Sequence, residues 1–247
     1  MIDWLLGREP AQPQVEVAGR MLPVVLRRNA QARRMTMRLA PDGSAVRITL
    51  PQWGRTAEAL EFANKRVGWI AGQLAAVPAP VELGHGGELQ FCGETLAIRH
   101  DPTAPRRVQL DLGELVLGGP AASVPARLKR WLEGEARRLL AEDLAFYCSR
   151  ASQPAPRLML SSAQRRWGSC ARGGTIRINW RLVMAPAEVR RSVVAHEVAH
   201  LVHFDHSPAF HGLLGELFEG DLRAANRWLR RSGRGLYLTS DECVSAF

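Results

Sequence analysis

The sequence predicts an α+β fold, with a β-rich region over residues 1–120 followed by a mainly helical region with a small sheet over residues 121–247. Three observations carry that expectation. Apolar residues recur with period two in several runs before residue 120. They recur at helical spacing over long stretches after it. Gly118-Gly119-Pro120 separates the two patterns.

The elements follow in order. Residues 15–28, broken near Gly19-Arg20, supply a pair of strands. Met35, Met37 and Leu39 alternate with polar residues, and the alternation resumes at Val46, Ile48 and Leu50 after the turn sequence Pro41-Asp42-Gly43-Ser44. Over residues 55–77 the period changes: Leu60, Ala63, Val67, Ile70 and Leu74 mark a helix that Pro78 stops. Strand patterns return over residues 89–99 and 108–117, the latter turning at Gly113-Glu114. A long amphipathic helix spans residues 124–150, with Leu128, Trp131, Leu132, Ala136, Leu139, Leu140 and Leu144 on its apolar face. Short strands are expected at 157–161 and 175–179, and a helix opens at Pro186 and runs to about Leu201. Ser207-Pro208 caps another helix, and a last one covers residues 222–231. No internal sequence repeat is visible.

Composition narrows the function classes. Lys+Arg 33 against Asp+Glu 24 gives +9, and 46% apolar residues describe a globular chain, not a disordered one. No apolar run reaches the ~20 residues of a membrane helix, and the start lacks the pattern of a signal peptide. A cytoplasmic location is therefore expected. The basic residues are nearly all arginine, which favours planar acceptors such as phosphate and carboxylate. Cys92, Cys148, Cys170 and Cys243 lie far apart and form no Cys-x-x-Cys pair, which excludes a cysteine zinc knuckle.

The chemistry sits in Val193-Val194-Ala195-His196-Glu197-Val198-Ala199-His200, a His-Glu-x-x-His sequence inside an apolar helical pattern. A spacing of four places His196 and His200 one turn apart on one face, so both imidazoles reach a single metal. Glu197 stands beside the pair, where it can hold a water and take its proton. Imidazole donors with an open position suit Zn2+. For the third ligand, His206 stands at the distance of the longer His-Glu-x-x-His-x-x-Gly-x-x-His pattern, with His203 where that pattern has Gly, so the chain either turns there in a left-handed conformation or continues as helix through His203. His203, His211 and Glu216 are the alternatives; three ligands on one straight helix converge poorly, which weighs against His203. Asp205 either orients an imidazole or serves a turn.

Further motifs extend this. Arg166-Trp167-Gly168-Ser169-Cys170, then Ile178-Asn179-Trp180-Arg181-Leu182-Val183 with Ala185-Pro186, then the His196–Leu201 segment, then His206-Ser207-Pro208-Ala209-Phe210 resemble the YgjP-like metallopeptidases, relatives of the SprT-like zincins. The resemblance runs from about Arg20 to Trp228. It implies a zincin-like metallopeptidase domain, zinc on His196, His200 and His206, Glu197 as catalytic base, and a protein or peptide substrate. His211 departs from the aromatic residue usual there.

Gly168 and Ser169 read as a tight turn beside a strand, with Trp167 packed on the active-site helix. Residues 175–180 are expected to form an edge strand that aligns substrate, with Asn179 or Trp180 touching it. Two other readings stand beside the peptidase. Arg27-Arg28, Arg33-Arg34, Arg165-Arg166 and Arg230-Arg231 are candidates for a DNA-binding surface on a protease of DNA-bound proteins. Alternatively, the zinc is structural in a non-catalytic binding protein. The first half is also a candidate cover for the cleft. Substrate preference and oligomeric state are not written in the sequence.

Overall fold

Alternating burial builds the first sheet. In the computed structural model, which describes residues 12–40, 42–77 and 83–237, β1 (Gln14–Val17), β2 (Arg20–Asn29), β3 (Thr36–Leu39) and β4 (Val46–Pro51) lie in the order β1-β2-β4-β3. Val15, Val17, Leu22, Val24, Val46, Ile48 and Leu50 share one face and pack on two helices. Ala18 and Gly19 join β1 to β2 with φ of 48° and 76°, the two positive values that a tight twisted hairpin turn demands.

The helix expected over 55–77 is two helices, α1 (Thr56–Asn64) and α2 (Val67–Ala75). Arg66 leaves helical geometry at φ −119°, ψ 20°. The break lets Ala63 and Ile70 both bury against the sheet.

The chain divides into two compact units, residues 1–78 and 79–247. The second opens with β5 (Glu88–Phe91), β6 (Glu94–His100), β7 (Gln109–Asp111) and β8 (Glu114–Leu117) in the order β5-β6-β8-β7. This repeats the first sheet's plan of two hairpins joined by a parallel inner pair, β2 with β4 and β6 with β8, without a repeat in sequence. Leu89, Leu96, Ile98, Leu115 and Leu117 share one core with Leu128, Leu132 and Ala136 of α3 (Val124–Arg150). The boundary expected at 120/121 therefore falls inside the second unit, because this sheet buries its apolar face against α3.

Beyond α3 come β9 (Leu158–Ser161), β10 (Gly168–Cys170) and β11 (Ile176–Asn179), a sheet ordered β10-β11-β9. Then follow α4 (Ala187–Val202), α5 (Pro208–Leu217) and α6 (Leu222–Ser232). The fold is thus mixed α and β with several small sheets. Two expectations change here. Gly168 and Ser169 lie in a strand, not a turn. β11 is the middle strand, hydrogen-bonded on both sides, so the edge strands of this sheet are β10 and β9. Among the described residues, no helix is long and apolar enough to cross a membrane.

Candidate active site

α4 is buried over most of its surface, with Arg190, Ser192 and Glu197 buried beside its apolar residues. Val189, Val193, Val194, Ala195, Val198 and Ala199 are buried, as suits a helix enclosed by neighbours on every side. Its N-terminal part is anchored by charge. Arg190 Nε donates to Asp143 Oδ2 of α3 at 2.7 Å, with both side chains nearly excluded from water. Arg191 pairs with Glu219, which also accepts from the Tyr147 hydroxyl at 2.9 Å.

His196 and His200 stand one turn apart on α4, their ring centroids 4.8 Å apart. The helix ends at Val202, and His203 takes an extended conformation, φ −124° and ψ 109°. That is neither the left-handed turn nor the continued helix that the sequence allowed. The extended step lets the His203 carbonyl accept from His200 Nδ1 at 3.0 Å. A carbonyl only accepts, so Nδ1 carries the hydrogen and Nε2 keeps its lone pair.

The chain then reverses and brings His206 over the pair. His206 Nε2 lies 3.3 Å from His196 Nε2. One nitrogen from each of the three rings falls within 4.8 Å of the others, so this group could hold a metal ion. Ser207 caps α5 by accepting from the Phe210 N–H at 3.4 Å. Asp205 accepts from the Ser207 N–H at 3.4 Å, so it serves the turn. Phe210, fully buried, lies within 5.0 Å of all three imidazole centroids and backs the cluster. His211 is exposed, 6.3 Å from the His206 ring. Neither it, His203 nor Glu216 joins the group.

Burial pushes the His196 imidazole down to about 4, assisted by the neighbouring histidines. It is therefore a neutral donor at ordinary pH. Glu197 is 5% exposed, and burial pushes its carboxyl up to about 7, while the Arg166 charge and the Cys170 backbone N–H pull it down. β10 explains how the carboxyl is held. Trp167 O accepts from Asn179 N, and Ala171 N donates to Thr175 O. Residues 167, 169 and 171 therefore face β11, and the backbone groups of Gly168 and Cys170 face the open edge. Glu197 packs against that edge. A Cβ on Gly168 would stand 2.7 Å from both its Cγ and its Cδ, and closer still to Oε1.

Sequence reasoning named this Arg-Trp-Gly-Ser-Cys stretch but not the work of its glycine, which only the partner on α4 reveals. Trp167 packs on Gly233, with the Tyr237 ring at 5.5 Å, and against the core that includes the α4 valines. Two neighbouring expectations change. Asn179 is fully buried and donates to the Ala163 carbonyl at 2.8 Å. Trp180 is buried too, its indole N–H on Ser162 Oγ at 3.2 Å. Neither of these two can meet a substrate.

Residues 33–232 match the family model of the YgjP-like metallopeptidase domain. Among solved structures, the chain is similar to the metallopeptidase zymogen of Pyrococcus abyssi abylysin, at 19% identity and a TM-score of 0.33, over 42% of this chain and 97% of that one. No curated protein matches the sequence.

Proposed function

The chain belongs to the YgjP-like metallopeptidase family, and from that premise we propose a zinc peptidase in which His196, His200 and His206 hold the metal and Glu197 is the general base. The observation that carries this reading is the buried Glu197 carboxyl beside three imidazoles whose donor atoms converge within 4.8 Å. The donor set suits zinc. It offers three nitrogens and no thiolate, which leaves a position open for catalysis. Cys170 is not among the converging donors. When bound, zinc would polarise the scissile carbonyl and acidify water.

The chain's own residues supply the rest of this reading. His200 is held in one tautomer by the His203 carbonyl, and His196 stays neutral because it is buried. Glu197, buried beside the three imidazoles, stands where its carboxylate can serve both halves of the proton transfer. It takes a proton from the attacking water and delivers it to the leaving amine. Gly168 and the Cys170 N–H hold that carboxyl in place. Apart from the Cys170 N–H, which Glu197 engages, the Gly168 backbone groups and the Cys170 carbonyl face the open edge of β10, so an extended substrate can align there beside Glu197. A purely structural metal site has no use for a buried carboxyl beside its ligands, which favours the catalytic reading over the non-catalytic one.

The test is metal removal. Purified protein is expected to carry one zinc per chain, to lose cleavage of a peptide library on chelation, and to regain it with zinc. Cleavage that survives complete chelation would refute the proposal.

A further inference from the structure

The charge around β10 points to the kind of substrate. Between Asp143 and Glu188 the chain carries seven arginines and no acidic residue. This is the segment that contains the whole β10-β11-β9 sheet. Arg165 and Arg166 stand just before β10 and Arg172 just after it, all three exposed. Together with the exposed Arg177 of β11, they form no ion pair among the described residues. Arg166 is near enough for its charge to act on Glu197. The free edge of β10 thus lies between guanidinium groups at both ends, with the buried base at its middle.

We propose that this edge selects acidic peptide segments, with Arg165 and Arg166 meeting carboxylates on one side of the scissile bond and Arg172 on the other. The inference rests on the peptidase reading above and names its substrate class. At about 3.3 Å of rise per residue, Arg166 and Arg172 flank the strand at a reach that matches acidic side chains two or three residues from the bond. A peptide fits better than a nucleic acid. The edge supplies backbone donors and acceptors for another strand, whereas the local aromatics are unavailable for base stacking. Trp180 is buried, and Trp167 is packed on Gly233 and Tyr237.

The test uses the full chain, zinc-loaded, as Glu197→Gln. Fluorescent peptides of one length carry Glu, Gln or Lys at the flanking positions, and their binding is read by anisotropy. The Glu peptide is expected to bind about tenfold or more tighter than the Lys peptide at ~0.02 M salt, with the gap closing by ~0.3 M. Arg165→Glu with Arg172→Glu is expected to abolish or invert the preference while melting temperature and zinc content stay unchanged. Equal binding of the Glu and Lys peptides overturns the proposal, as does a preference that survives the reversed charges. An oligothymidylate that displaces the Glu peptide at equal concentration overturns it in favour of a nucleic-acid surface. A retained Glu preference with no cleavage of any peptide by the wild-type chain overturns the peptidase reading instead.

Discussion

Replacing Gly168 with Ala adds a single methyl group at the point where β10 meets Glu197. That carbon would stand 2.7 Å from Glu197 Cγ and Cδ, against an ordinary carbon contact of roughly 3.5–4.0 Å. The carboxyl must therefore retreat by about 1 Å, or β10 must. Gly168 has no positive φ, so the added carbon is the whole perturbation. A displacement of about 1 Å at a reacting group costs on the order of 100-fold in rate, which is about 2.7 kcal/mol of barrier. Overpacking costs a further ~1–3 kcal/mol of stability. The assay is kcat on a cleaved peptide, with zinc content and melting temperature measured on the same samples. Gly173→Ala is the control, since a Cβ there meets nothing within 4 Å. The expected result is a large fall in kcat at Gly168 with zinc retained, and little change at Gly173. A Gly168→Ala enzyme with wild-type kcat would refute the placement of Glu197 against β10.

Other outcomes follow from the same geometry. In metal-free protein the raised Glu197 pKa of about 7 means that the unfolded chain gives up this proton near its ordinary 4.5 while the fold keeps it. Wild type should therefore lose up to ~3 kcal/mol relative to Glu197→Gln as pH rises from about 4.5 to 7, and urea titrations of both across that window check the sign. His206→Ala should weaken zinc binding by several orders of magnitude without unfolding the chain, because His206 is exposed; competition with a chromogenic chelator measures it. Asp143→Ala leaves the buried Arg190 guanidinium uncompensated and should destabilise by about 3–5 kcal/mol. A loss under about 1 kcal/mol in urea unfolding would contradict the role given to that pair.

Much of the site was legible because its signals are local. His196 and His200 are related by helical periodicity, and Ser207-Pro208 announces a helix start that sends the chain back past His206. The long apolar stripe of α3 likewise reads directly. What did not read depends on partners far along the chain. Gly168-Ser169-Cys170 has no period-two pattern, and its identity as a strand comes from pairing with Ile176–Ile178. The need for glycine there comes from Glu197. The leucines of β5, β6 and β8 show that one face is buried but not that it packs on α3, which lies beyond the Gly118-Gly119-Pro120 boundary that the sequence suggests. For His203 the sequence offered a left-handed turn or more helix. The chain took an extended step instead, which the bond from His200 to the His203 carbonyl stabilises.

The central claim is that Glu197 performs the proton transfer beside a metal held by the three histidines. The most direct test is the hydrolysis rate of Glu197→Gln, measured on protein whose zinc content is determined in the same preparation. Gln keeps the shape of the side chain but is no base, and positioned proton transfer contributes on the order of 100- to 10,000-fold. The account predicts a loss of at least that order with zinc content equal to wild type. Wild-type hydrolysis by zinc-loaded Glu197→Gln would contradict it.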